Sequence, residues 1–316
     1  MSEVSRPSKR ARISSEGDGA ADGPPAPLDD LKHDEEFWLE DGNIVLIARN
    51  TAFRIYRGLL AAQSSIFADM FTAALSSKAG ETYEGCPAAV VHLSESPEDL
   101  RHILRVLLPK SHRAFGSDGP QPTKVSFEQL FAVTRLSHKY QVDDILQQAI
   151  SLLRTYYTTR PDCSTKTRTR CDAFTATQAI GAVNLARLTE TPVILPRALF
   201  HCASIGPSIL AGWTREDGTV EHLNPADVTR ALKGRDFFIK ESFYGLRRIF
   251  AAKQILRRSF EDFEPRLIFE PWANLIKEAG EIDPLCSNCL EVVRMNQEEV
   301  VRKIWLDLPG FFGLKF

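Results

Sequence analysis

A chain of 316 residues with 43% apolar content and a formal charge of −2 at pH 7 can bury a full core and has room for two domains of ordinary size. Its 39 basic and 41 acidic side chains nearly balance, so no global field gathers nucleic acid or an anionic membrane surface. Apolar runs fall short of the roughly 18 residues of a membrane helix, the amino terminus lacks the apolar core of a secretory signal, and six cysteines are too few for a disulfide scaffold. An intracellular, reducing location is expected.

From Met1 to about Pro27 the chain is polar and rich in Ser, Gly, Ala and Pro, a composition that does not repay the entropy of ordering, and a disordered tail is expected over residues 1–33. Within it, Lys9-Arg10-Ala11-Arg12 resembles a short nuclear import signal, with a solvated basic tail as the alternative. Asp34-Glu35-Glu36 reads as a solvated lead-in rather than an acidic site. After Phe37-Trp38 and the turn residues Asp41-Gly42-Asn43, the run Ile44-Val45-Leu46-Ile47 is a strand. Arg49-Asn50-Thr51 separates it from the alternating segment Phe53 to Tyr56, which completes a hairpin signal. In that second strand Phe53 and Ile55 oppose Arg54 and Tyr56, giving one buried and one solvated face. Phe67, Met70, Phe71, Ala74 and Leu75 then recur at helical offsets and form one apolar stripe.

Ala89-Val90-Val91-His92-Leu93 suits a third strand. Ser96-Pro97-Glu98-Asp99 combines a capping side chain, a first-turn proline and acids at the positive end of a helix, and Leu100, Ile103, Leu104, Leu107 and Leu108 follow at helical spacing up to Pro109. A Gly- and Pro-containing loop over Ser111 to Thr123 precedes a second capping box, Ser126-Phe127-Glu128-Gln129. That box opens a helix toward Tyr140, and another from Val142 carries Ile145, Leu146, Ala149, Ile150 and Leu153.

Taken in order, Asp41-Gly42-Asn43-Ile44-Val45-Leu46, Phe53-Arg54-Ile55-Tyr56-Arg57, Leu59-Leu60, Ser64-Ser65, Phe67 and Met70-Phe71 resemble the BTB (POZ) domain. Leu136, Tyr140-Gln141 and Leu146 resemble that family's closing helical pair, so the likeness covers about 34–157, and the whole chain most resembles fungal members, which often carry Tyr where Tyr56 stands. The fold class expected is α+β: a BTB-like unit of a small sheet flanked by helices, followed by a mostly α-helical domain. The boundaries are 1–33 for the tail, 34–157 for the BTB-like unit, 158–172 for a Thr-, Arg- and Lys-rich linker, and 173–316 for the helical part.

In the helical part, Ala176, Ile180, Val183, Leu185 and Leu188 read as one helix, while Thr191-Pro192 and Asn224-Pro225 read as capped starts of others. Val228, Leu232, Phe237-Phe238, Phe243, Leu246 and Ile249-Phe250 continue the apolar signal, and Glu298 to Leu306 reads as the last helix, ended by Pro309-Gly310. Cys286-Ser287-Asn288-Cys289, with Trp305, Leu308-Pro309, Phe312 and Gly313-Leu314, looks similar to the carboxyl ends of fungal BTB proteins.

No catalytic constellation emerges, and neither an enzyme nor a bound cofactor is expected. Cys286 and Cys289 have the spacing of half a zinc site, but the other half is missing nearby, and Cys163 and Cys171 lack the spacing of a usual knuckle, so packed or half-exposed thiols are the expectation. The histidines are scattered, and no Gly-rich phosphate loop occurs. Ser64-Ser65 has no glycine elbow and sits where a helix cap is wanted. Lys166, Arg168 and Arg170, or Arg247-Arg248 with Arg257-Arg258 and the nearby Phe260 and Phe263, could touch phosphates and stack bases, but with a net negative chain and no reading motif a solvated helix face beside core aromatics is the expectation, and a nucleic-acid partner is not expected. Metal- or nucleic-acid binding through this half is the second alternative function.

What the resemblance implies is recruitment of protein partners without chemistry. In the BTB family the first helices pack across a two-fold axis, and Leu59, Leu60, Ile66, Phe67 and Met70 supply more apolar side chains than one helical hairpin needs, so a homodimer is expected. The family's corepressor groove lies beside a buried acid–base pair whose positions here are Asn43 and Arg57. Arg57 is therefore expected to be exposed or to pair elsewhere, with Asp41 as the candidate. Adaptors that dock a cullin scaffold present a hydrophobic residue and then, two residues on, Glu. Here Leu75 supplies the anchor, but Ser77 stands at the Glu position and the next acid is Glu81. The alternative function is thus a ubiquitin-ligase substrate adaptor.

Overall fold

The computed structural model describes residues 31–76, 83, 89–108, 125–157, 174–249 and 287–315, with the backbone alone at 246–249 and 289–290. Its elements are β1 (Lys32–Trp38), β2 (Ile44–Ala48), β3 (Thr51–Ile55), α1 (Arg57–Ala61), α2 (Ser65–Ser76), β4 (Ala89–Leu93), α3 (Pro97–Leu107), α4 (Phe127–Lys139) and α5 (Asp143–Tyr156). There follow α6 (Ala179–Leu188), α7 (Leu195–Ile205), β5 (Trp213–Thr214), β6 (Val220–Glu221), α8 (Pro225–Ile249) and α9 (Ser287–Phe311). The chain is α+β, with a small sheet flanked by helices followed by a largely helical part.

The hairpin forms where the pattern places it. Strands β2 and β3 are antiparallel with Leu46 opposite Phe53 and Ile44 opposite Ile55. In the β1–β2 turn that precedes the hairpin, Gly42 is required by close approach, because a Cβ there would lie 2.9 Å from both Arg54 Cγ and the Ile55 backbone nitrogen. Strand β4 adds to β2 in parallel, as the sequence led us to expect of a sheet partner. A fourth strand, β1, was not foreseen; it lies parallel to β3 and closes the order β1-β3-β2-β4. The strand therefore begins at Lys32, inside the segment assigned to the tail, while residues 1–30 lie outside the described residues.

One sheet face carries Ile44, Leu46, Phe53 and Ile55, all at 0% exposure, against the helices. The other face is not simply solvated. Val45, Ile47 and Ala52 are buried there under Tyr83 and Trp38, and Trp38 stacks on His33 with ring centroids 3.6 Å apart. Residues 44–48 consequently read as a continuous apolar run, as a strand covered on both faces should.

The caps expected for α3 and α4 are present: Ser96 Oγ accepts from the Asp99 N–H at 3.2 Å and Ser126 Oγ from Gln129 at 3.1 Å. Ser64 caps α2 by accepting from the Phe67 N–H at 3.0 Å, and its hydroxyl donates to the Tyr140 carbonyl at 2.6 Å, which pins α2 to the end of α4. Asn224 Oδ1 caps α8 by accepting from Asp227 at 2.8 Å.

Three features of the helical part depart from the sequence reading. First, it holds a two-stranded antiparallel hairpin, β5–β6. Second, α9 runs on through Pro309 to Phe311. A proline so near the end removes little hydrogen bonding, and the Leu314 N–H reaches the Pro309 carbonyl at 3.0 Å while Gly313, at φ 62°, makes the left-handed turn that stops the helix. Third, Pro192–Ala211, a 3-10 turn, α7 and a second 3-10 turn, is long and apolar enough to cross a membrane by length and composition, with mean hydropathy 1.4. In this protein it is mainly a core element, with Ala198, Leu199 and Cys202 at 0% exposure. A single apolar cluster extends from Phe37 through the α4, α6 and α7 side chains to Phe312, so the two parts of the chain share one core.

Candidate protein interface and a buried charge cluster

The helical hairpin expected to carry an interface is α1–α2. Leu60 and Phe67 are fully buried at 0% exposure and belong to the chain's own core. Phe67 stacks on Phe71 and on Tyr140, the latter with centroids 4.2 Å apart. These two residues have no surface left for a partner, which corrects that part of the interface reading: an apolar stripe does not say which of its members turn inward. Leu59, Ile66 and Met70 are half-buried and pack against the core. Leu75, at the end of α2, is 51% exposed. The outer side of α2 adds the exposed Thr72, Ala73 and Ser76, and among its twelve residues only Asp69 is charged.

Asn43 and Arg57 do meet, but through the backbone. Asn43 Oδ1 accepts the Arg57 N–H at 2.8 Å and so caps α1 from the β1–β2 turn. The Arg57 side chain is half-buried, and among the described residues it makes no ion pair. Asp41 is taken instead by the Tyr56 hydroxyl, which donates to it and whose pKa this hydrogen bond, with slight burial and the carboxylate charge, pushes up.

Asp34 is not a solvated lead-in. It is 2% exposed, its Oδ1 accepts the N–H groups of Glu36 and Phe37 at 3.0 and 2.9 Å, and its Oδ2 takes Arg101 Nε at 2.6 Å. Glu36 holds Arg105 through two guanidinium nitrogens, at 2.9 and 2.7 Å. These carboxylates fasten β1 to α3, and only Glu35 remains a plain surface acid.

The densest group of charges was not foreseen. The loop between β5 and β6 crosses from the helical part to α3 and α4. Trp213 is 4% exposed between Phe127 and Phe131, each 5.1 Å away between centroids. Behind it Gly181 of α6 leaves room that a Cβ would fill, since that atom would lie 2.5 Å from the Trp213 ring. Arg215 is 5% exposed, lies over Phe131 at 4.8 Å and donates to Asp99, which also receives Arg135. Glu216 meets His102 Nε2 at 2.9 Å, and Asp217 meets Arg49 at 3.1 Å. Burial pushes the Asp217 carboxyl up, but hydrogen bonds from Thr219 and the charges of Arg215 and Arg49 outweigh it and hold the group below the usual carboxylate range. A signal for this hairpin does exist in the sequence: Asp217-Gly218 stands between Trp213-Thr214 and Thr219-Val220, with Gly218 at φ 78°.

The remaining sequence candidates fall elsewhere. Lys9 to Arg12, Ser77, Glu81, Cys163, Lys166, Arg168, Arg170, Cys171, Arg257, Arg258, Phe260, Phe263 and Cys286 lie outside the described residues, as do the side chains of Arg247, Arg248 and Cys289. Among the described residues no group of three or more His, Cys, Asp or Glu side chains is arranged to hold a metal ion. No protein-family model matches the chain, and no curated protein matches it.

Proposed function

We propose that this chain is a non-catalytic protein-interaction module that self-associates through the α1–α2 hairpin and recruits protein partners, in the manner its resemblance to BTB domains implies. The observation that carries this reading is the outer side of α2. A helix that only met water would ordinarily display several charges. This one sets half-buried Ile66 and Met70 beside exposed Ala73 on one flank of the buried Phe67–Phe71 face and exposed Leu75 on the other, with Asp69 as its sole charge. A second copy related by a two-fold axis would meet the same patch with itself.

Light scattering of the full chain at tens of micromolar tests the proposal. The expected result is a dimer that the double substitution Ala73→Arg, Leu75→Arg converts to monomer. Both positions are exposed, so the fold should survive. A wild-type monomer at that concentration would remove self-association from the reading.

The exposure of Leu75 also favours a second reading, the cullin adaptor, in which this side chain fills a pocket of the scaffold. The missing acid at Ser77 would cost a charge-assisted hydrogen bond, about 1.5–3 kcal/mol, which is tenfold or more in affinity. A pull-down with a cullin scaffold separates the two: binding lost in Leu75→Ala would put the adaptor first, and no binding at micromolar concentration would eliminate it.

A further inference from the structure

We infer that the loop joining β5 and β6 is an acid-tightened clasp, which seats on α3 and α4 when the Glu128 carboxyl is protonated and loosens when it ionises. The inference is independent of what α1–α2 binds. Its basis is an imbalance of charge at one half-buried seam. Four carboxylates meet there: Asp99 from α3, Glu128 from α4, and Glu216 and Asp217 from the loop. Three guanidinium groups answer them. Asp99 takes Arg135 and Arg215, and Asp217 takes Arg49 with Arg215 at 3.7 Å. Glu216 has His102. Glu128 has no cation of its own among the described residues, and its Oε2 is buried without a hydrogen-bond partner.

An ionised carboxylate in that position is costly, so the proton becomes part of the packing. Burial pushes the Glu128 carboxyl up to about 7; Arg215 pulls it down, as does a hydrogen bond from the Glu216 backbone, while the charges of Glu216 and Asp99 push it further up. The charged groups acting on it are Arg215 and Glu216 on the loop and Asp99 on α3, and these in turn hold Asp217, His102 and Arg135. An acid whose pKa is raised in the seated state holds its proton more tightly there than when the loop is open. Seating is accordingly strongest below the ordinary carboxylate value of 4.5, and the advantage is lost as the pH rises from there to about 7. Asp217, held low, keeps Arg49 throughout and serves as the fixed end of the clasp.

Hydrogen-exchange mass spectrometry of the full chain at pH 6 and pH 8, with times scaled for intrinsic exchange, reads the seating directly. Peptides covering 213–221 should lose up to about tenfold in protection from pH 6 to pH 8, the most that one group titrating near 7 allows between these values, and less in proportion to the partial exposure of Glu128. Peptides covering β2 and β3 should not change. Glu128→Gln, which keeps the shape and removes the titration, should protect 213–221 equally at both pH values. Equal wild-type protection at the two pH values, or a loss that persists in Glu128→Gln, would overturn the inference. Were that variant to disturb β2 and β3, Glu216→Gln replaces it: with one facing charge gone the loss should shrink, and an undiminished loss would overturn the clasp as well.

Discussion

Arg215 and Asp99, 116 residues apart in the chain, form an ion pair in which both side chains are nearly sealed from water, at 3% and 2% exposure. The guanidinium also lies over the Phe131 ring, so it is held by charge on one side and by an aromatic face on another. A pair this deep contributes little net stability compared with an apolar substitute, yet it is expensive to break, because the surviving partner is left charged in a dry site.

Asp99→Ala strands Arg215 in that way and is expected to destabilise the fold by about 3–5 kcal/mol. The double variant Asp99→Leu, Arg215→Met should recover much of this, because the sealed guanidinium leaves with its carboxylate, while Arg135, which also loses Asp99, is 32% exposed and can turn to water. Urea denaturation of the two variants beside wild type measures the difference; equal losses in both would show that packing, rather than stranded charge, dominates.

Gly181 faces Trp213 so closely that a methyl group has no room, with the ring 2.5 Å from where the Cβ would sit and Phe127 at 3.0 Å. Gly181→Ala should cost about 1–3 kcal/mol despite the higher helix propensity of alanine, since overpacking at a rigid aromatic contact outweighs that gain. Adding Trp213→Phe, which shortens the ring, should restore part of the loss. Thermal denaturation of the single and double variants checks the order.

His201 behaves oppositely to Glu128. Packed beside Tyr157 and Phe200, its imidazole is pushed down to about 4 by burial and then by the charge of Arg197. The folded state thus prefers the neutral ring. Its contribution is fully present above the ordinary value of 6.5 and is lost as the pH falls from there toward about 4. His201→Gln, which cannot titrate, should show a shallower fall in urea midpoint between pH 7 and pH 4 than wild type. Parallel curves for the two proteins would count against it.

The sequence by itself determined the elements whose causes are local. Leu100, Ile103, Leu104 and Leu107 repeat at helical spacing behind a Ser-Pro-Glu-Asp start, and they form the buried face of α3. Ile44 to Ala48, a continuous apolar run, and Thr51 to Ile55 flank a turn, and they pair residue for residue. The α+β character was legible for the same reason. Strand β1 was not, because Asp34 and Phe37, its two buried residues, stand three apart across an irregularity in the pairing and follow neither the strand nor a sustained helical period.

Tertiary structure alone decided which apolar and charged side chains are spent internally. Ile66, Phe67, Met70 and Leu75 look alike in a hydrophobic stripe, yet Phe67 lies against Tyr140 while Leu75 projects into water. Asp34, Asp99, Arg215 and Asp217 look like surface charges, and each is buried because a partner 67, 116 or 168 residues distant reaches it. A helix or strand is specified by interactions among neighbours a few positions apart, which the sequence displays. A buried ion pair depends on two elements being brought together by a core that neither one's local sequence records.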